Sequence, residues 1–465
     1  MSSRPRTRNY TVGEETEDGK RVLSPDHTLP TARYFVEKFH SHQGTTTLRF
    51  WCGSFYSWNL RRYREVDEVA LKKQLLSWLH DCVTEDGKGF PANPRTVTAA
   101  LESLKCVCHL ESTTEVPSWL NRTADDPRVE ECFPAFNGIL HIPTGRLIEH
   151  TPRFFAMHGA DFDYEPAAPS PARWNQFLDE LFGDDTERRL LLQEFAAYLL
   201  TSDTSQEKAL LIIGPKRAGK GVIGRVFTAL VGPDNVASPT TSDLSTQFGL
   251  EQLLGKVLAL ITDARFSGKG TQEVTERLLS IIGRDRIGVP RKFMPSVQTV
   301  LNTRFVITTN ELPKFRDDAL ALPNRFVILS LDRSFFDAEE TNLKETLMAE
   351  MPGILNWALA GWKTLKARGK FEQPQSSKET AQELADLASP LLVWLRERCE
   401  LGQEYRTPTD EVFADWRHWS RVNGHGEGGT NSEFGTKLRQ AGVGKAQNKK
   451  RYYRLKLKGP EAAEE

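Results

Sequence analysis

The stretch "LLIIGPKRAGKGVIG", residues 210–224, reads as a buried apolar strand, a loop bounded by glycines and the first turn of a helix. Gly214 and Gly219 bracket Pro215, Lys216, Arg217 and Ala218, with Lys220, Gly221 and Val222 directly after them. This arrangement suits a phosphate cradle. Backbone N–H groups wrap the anion, the helix end adds partial positive charge and the lysine reaches the outer phosphates. ATP is therefore the expected ligand, bound by the loop from Gly214 to Val222. In the pattern G-x-x-x-x-G-K-[ST] the last position is a hydroxyl that holds magnesium, and here it is Gly221.

Three near-continuous apolar runs surround this loop in the chain, "ALLIIG", "VLALIT" and "RFVITT", each separated from the next by helical patterns. Runs of this kind belong to a parallel sheet buried on both faces, so the fold class is α/β. The second run ends in Thr262 and Asp263, and an acid at a strand end can hold Mg2+ or activate the attacking water. Two registers are open. With Thr262 first and Asp263 second, Asp263 activates water and Thr262 supports magnesium, directly or through water. With Asp263 first, Asp263 is the metal ligand and the base is missing. The four apolar residues from Leu258 to Ile261 favour the first. The third run ends at Asn310, whose amide can orient water against the terminal phosphate. Arg325 follows Asn310 by 15 residues and precedes another strand, a place suited to a guanidinium offered to a neighbouring subunit's nucleotide.

The run from Glu276 to Phe335, which holds "GRDRIGVPRKF", "TTNELP" and "ALPNRFVILSL", resembles the body of a superfamily 3 DNA helicase of the phage and plasmid primase-helicase branch. The poxvirus primase-helicase belongs to the same branch. The resemblance implies a homohexameric ring of AAA+-type subunits with a P-loop, ATP at the subunit interfaces and 3′→5′ movement on single-stranded or forked DNA. It also implies that Arg291 and Lys292 lie on a hairpin facing the central channel, where they grip phosphates. A channel that accepts any sequence should contact phosphates rather than bases.

The 465-residue chain is long enough for several cores. A disordered leader is expected over 1–30 and an α+β accessory domain over 31–165, with a hairpin at Pro143, Thr144 and Gly145. A helical lead-in follows over 166–205, starting at Ser170 and Pro171, and the ATPase domain covers 206–370. A polar linker, 371–382, leads to a winged-helix domain over 383–460, whose middle helix is expected to be capped by Thr407 with Pro408 in its first turn.

Lysine and arginine (61) nearly cancel aspartate and glutamate (62), so net charge decides nothing about nucleic acid. The stretch 437–458 is different, with nine basic residues and no acid. Lys449, Lys450 and Arg451 are its candidate DNA contacts, beside Tyr452 and Tyr453. His80, Cys82, Cys106, Cys108 and His109 fall in one region, but their spacing is that of neither a zinc ribbon nor a finger, and small buried hydrophobes fit better. Six cysteines make no disulfide framework, and no apolar run approaches the ~20 residues of a membrane helix, so a cytoplasmic protein is expected. The N-terminal part offers no set of paired acids for nucleotidyl transfer, so a separate primase or polymerase is the expected partner. The competing reading is a nucleotide-switched origin-binding or loader protein with weak or no hydrolysis.

Overall fold

The computed structural model describes residues 10–264, 266, 270–313, 315, 321–336, 340, 342–445 and 452–458. Its centre is a five-stranded, all-parallel sheet. Two helices lead into it, α1 (Ala172–Phe182) and α2 (Thr186–Leu200). On α1, Trp174, Phe177, Leu178, Leu181 and Phe182 all turn inward, as their i, i+3, i+4 spacing requires, and Asp185 caps α2 by accepting from the Arg188 N–H.

The strands are β1 (Ala209–Ile213), β2 (Val236–Ala237), β3 (Leu258–Ile261), β6 (Arg304–Thr309) and β7 (Phe326–Ser330). Between β3 and β6 the chain projects an antiparallel ribbon, β4 (Arg286–Arg291) and β5 (Met294–Val300). Helix α3 (Lys220–Val231) follows β1, and α4 (Thr271–Ile282) precedes the ribbon. In space the sheet runs β2-β3-β6-β1-β7, so β1, the first strand of the sheet, lies between its last two, β6 and β7. The chain leaves β1 toward one edge of the sheet and later crosses back over it to the other. In open parallel sheets that reversal leaves a crevice at the carboxyl ends of the strands, and the loop after β1 opens into it.

Apolar side chains fill both faces of the sheet. On one face Leu210, Ile212, Val306, Val327 and Leu329 join α1, α2, α3 and α5 (Met351–Arg368). On the other, Leu211, Ala259, Ile261, Phe305, Ile307 and Ile328 meet Val274, Leu278 and Ile281 of α4. The first of these cores also takes in Phe133, Ala135 and Leu140 from a small antiparallel sheet, Cys132–Ala135, Gly138–His141 and Arg146–Ile148. Its last two strands form the hairpin expected around Pro143 to Gly145.

Residues 10–27 differ from the disordered leader expected there. Val22 and Leu23 are fully buried, and Leu23 N–H donates to the Val83 carbonyl at 2.8 Å. Leu23 ties this polar stretch to the core of Phe35, Phe55, Leu75, Trp78 and Leu101, and Val22 forms a bridge with Val83. The segment 371–382 also differs from a free linker. Phe371 enters the main core, and the Gln373 amide accepts from Ile328 N–H at 2.9 Å and donates to Ile328 C=O at 2.7 Å. That side chain supplies the missing ladder partner of edge strand β7, and α6 (Lys378–Ala388) begins within the supposed linker.

The C-terminal part has its own core of Trp394, Trp416, Phe434, Leu438, Tyr453 and Leu455. It is built by α7 (Pro390–Arg398), α8 (Thr409–Val422), α9 (Asn431–Gln440) and two short antiparallel strand pairs. Thr407 does not cap α8. Its hydroxyl donates to the Leu455 carbonyl at 2.6 Å, and Pro408 itself precedes the first turn. Among the described residues no helix is long and apolar enough to cross a membrane. Cys82 and Cys108 are buried in the N-terminal core as expected, whereas Cys106 is exposed.

Candidate functional site

The loop after β1 is shaped by close approach and by backbone sign. A Cβ on Gly214 would lie 2.6 Å from the Leu331 carbonyl oxygen, so only glycine lets the chain leaving β7 pass there. Gly219 has φ +83 and would place a Cβ 2.9 Å from the Phe177 ring of α1. Arg217, at φ +60, gives the loop a second left-handed residue. Helix α3 then starts at Lys220, with no side chain capping its N-terminus, and Lys220 and Gly221 of its first turn line the crevice.

Lys220 is 8% exposed, and its ammonium donates to Gly214 O (2.6 Å), Pro215 O (2.7 Å) and Asn310 Oδ1 (2.9 Å). Burial lowers its pKa from the usual lysine value, and the charge of Asp263 opposes that shift. Asn310 stands at the end of β6 and Asp263 just past the end of β3, the strand beside it. The backbone turns sharply at Asp263 (φ +49), where its N–H approaches Thr308 Oγ1 at 3.4 Å. Three residues separated by 43 to 90 positions in sequence therefore meet at the ends of three adjacent strands.

The resulting cleft, about 1130 Å³, is lined by Lys216 to Gly221, Thr262 to Ala264, and Thr308 to Pro313, with Phe266. It also holds a carboxylate that the sequence reading passed over. Glu311 sits beside Asn310 in "TTNELP", where its N–H binds Thr309 Oγ1 at 3.2 Å. The signal was present in the sequence, because an acid next to a strand-end asparagine shares that strand's crevice. Gly221 faces open space: a Cβ there would meet only the Arg225 guanidinium, at 3.6 Å.

Arg325 does not join this cleft. It precedes Phe326, which pairs with Ala209 at the opposite end of β1, about 15 Å along the strands from the loop. There it forms an ion pair with Glu207. Arg291 is also occupied, against the expectation that it grips DNA. Its side chain is 10% exposed, donates to the Cys52 carbonyl and lies 3.8 Å from Glu251. The guanidinium fork is anchoring the ribbon to the turn at Cys52 and Gly53. Lys292 at the ribbon tip is exposed. Lys449, Lys450 and Arg451 lie outside the described residues.

Residues 212–325 match a family model described as a family of unknown function (DUF5906), and residues 32–183 match one described as D5 N terminal like. The chain is 24% identical over 162 residues to the uncharacterized mitochondrial protein ymf21 of Marchantia polymorpha, covering 32% of this chain and 87% of that protein. It is similar to the apo structure of the NrS-1 C terminal region (305-718), with TM-score 0.56 and 13% identity over 93% of this chain and 99% of that one. A second apo form of that region gives TM-score 0.49 and 13% identity, over 90% and 87% of the two chains. At 13% identity the likeness is one of fold. The N-terminal match supports the resemblance to phage-type primase-helicases, whereas the model covering the cleft carries no assigned function.

Proposed function

We propose that this chain is the motor of an ATP-driven replicative DNA helicase of a phage, plasmid or integrated element. Its subunits have a P-loop core of AAA+ type and a C-terminal winged-helix domain, and they assemble into a homohexamer on single-stranded and forked DNA, with movement 3′→5′. The observation that carries this reading is the meeting of Lys220, Asn310 and Asp263 at the mouth of the loop after β1.

The cleft suits a nucleoside triphosphate. Its floor is a helix N-terminus, Lys220 is the buried cation among its described lining residues, and its walls mix polar groups with the apolar Phe266, Leu312 and Pro313. Lys220 and the loop amides hold the phosphates, Asp263 takes a proton from the attacking water, and Asn310 orients that water. Arg325 is directed at a neighbour's cleft, in keeping with its place at the far end of its own sheet. Magnesium, when bound with the nucleotide, supplies positive charge against that developing on the phosphoryl group. Thr262, Asp263 and Glu311 are the oxygen-bearing side chains at hand for it. Primase or polymerase activity is assigned to separate partners.

In the test, Lys220→Ala should lower DNA-stimulated ATP hydrolysis by about 10²-fold or more and abolish displacement of a strand from a 3′-tailed duplex. Full ATPase activity in that variant would remove the loop assignment. One observation favours the second reading, a nucleotide-switched loader: Gly221 leaves the loop without a hydroxyl. Tight ATP binding with neither hydrolysis nor unwinding by the wild-type protein would select it.

A further inference from the structure

The β4–β5 ribbon ends in a two-residue turn, Lys292 and Phe293, closed by the pairing of Arg291 with Met294. Phe293 is 95% exposed, a higher value than any other large hydrophobic side chain among the described residues. Its φ is +62, in the left-handed region where the second residue of such a turn is normally glycine or asparagine. Folding therefore gains nothing from this ring. It leaves apolar surface in water, and the backbone beneath it is in a conformation that bulky residues avoid.

The turn is nevertheless held firmly. On one side Arg291 is bonded to the Cys52 carbonyl, and the Lys292 N–H donates to Glu251 at 3.2 Å. The Lys292 ammonium lies 5.3 Å from the centre of the Phe293 ring. An aromatic face and a cation thus stand side by side on a braced support, the pairing that a nucleotide presents in complement as a flat base and a phosphate.

We propose that Phe293 stacks on a base of single-stranded nucleic acid while Lys292 takes the adjoining phosphate, which rests on the DNA-binding reading above. Stacking is tolerant of sequence because every base has a π-face, so it adds grip without adding specificity. The surroundings favour a base over a protein pocket. The neighbouring outward positions of the ribbon are Arg286, Gly288, Ser296 and Gln298, and only Met294 and Pro295 extend the apolar surface. One ring with two small neighbours falls short of the contiguous patch that a protein partner needs.

The test uses the full-length protein with a non-hydrolysable ATP analogue and two fluorescein-labelled oligonucleotides of equal length, one of thymidine and one with abasic residues at every position. The wild type should bind oligothymidine more tightly. Phe293→Ala should lower that affinity roughly 5- to 100-fold and leave abasic binding unchanged. Phe293→Trp should retain the preference, and Lys292→Ala should weaken both ligands alike. If Phe293→Ala binds oligothymidine as the wild type does while Lys292→Ala weakens both, stacking is overturned and DNA binding stands. If the wild type binds neither oligonucleotide, the DNA reading fails and takes this proposal with it. A change in sedimentation without a change in binding would make the ring a subunit contact instead. Phe293→Gly, which suits the turn, should fold at least as well as the wild type, so a loss of binding in that variant cannot be ascribed to unfolding.

Discussion

Replacing Gly221 with serine restores the hydroxyl that the loop lacks, and the structure says what should follow. Gly221 is the second residue of α3, and an added Cβ meets only the Arg225 guanidinium, at 3.6 Å, an ordinary contact with the end of a flexible side chain. No strain opposes the change. Glycine within a helix costs about 0.5 kcal/mol more than serine, so the variant should be more stable by about that amount and melt about 1–2 °C higher. The hydroxyl also joins Thr262, Asp263 and Glu311 as an oxygen donor in the cleft. The magnesium concentration giving half-maximal ATP hydrolysis should fall about tenfold if a missing oxygen limits metal affinity. Thermal melting and a magnesium titration of the ATPase read the two effects separately. A variant melting several degrees lower would refute the open-space reading of Gly221. An unchanged magnesium requirement would show that the remaining oxygens already suffice.

Three further outcomes are expected. Gly214→Ala drives a methyl toward the Leu331 backbone, which has nowhere to yield without moving β7; it should lose about 1–3 kcal/mol in a denaturant titration, whereas Gly221→Ala should not. Arg325→Ala should abolish ATPase activity on its own and regain part of it when mixed with Lys220→Ala subunits, because mixed interfaces unite an intact loop with an intact arginine; absence of rescue would place Arg325 in a structural pair with Glu207 alone. His158 is fully buried beside Arg304 and Arg62, and its pKa is lowered to about 3, first by burial and then by those charges. The unfolded chain takes up that proton below about pH 6.5 and the folded chain does not, so stability is lost as pH falls from 6.5 toward 3, by about 2 kcal/mol between pH 7 and pH 5. A His158→Asn variant whose melting temperature fell just as steeply with acid would refute the assignment.

What the sequence revealed was what neighbouring residues determine. Apolar runs marked β1, β3 and β6, the spacing on α1 marked its buried face, and the break after Ile261 located Asp263 at the end of β3. Partnerships between distant parts of the chain were not legible. Arg291 reads as a free basic residue until the fold brings Cys52 to it across 239 positions. Gln373 reads as linker because nothing near it reveals that β7 is an edge strand needing a partner. Val22 and Leu23 were overlooked for a related reason: two apolar residues carry no periodicity, and their burial depends on Val83. Glu311 is a different case, because it adjoins Asn310 at the end of an apolar run and so was legible from its neighbours.

The strand order accounts for why these parts form a cleft in one place and leave Arg325 in another. All five strands run parallel, so every strand end that follows a buried run points to the same side, and β3, β6 and β1 are adjacent. Asp263, Asn310 and the loop before Lys220 thus converge without any of them needing an unusual loop to reach the others. The same parallelism sends residues that precede strands to the opposite side, which is where Arg325 and Glu207 lie. A residue on that side cannot act on its own subunit's cleft without crossing the sheet, but a second copy related by rotation can bring it against the neighbour's cleft. On the proposed reading an arginine finger at this position requires assembly, and the ion pair with Glu207 is the contact that assembly would have to replace. If Glu207→Gln raised the activity of a dilute, unassembled protein as much as that of the assembled one, the arginine would be acting within its own subunit, and the proposed role in assembly would fall.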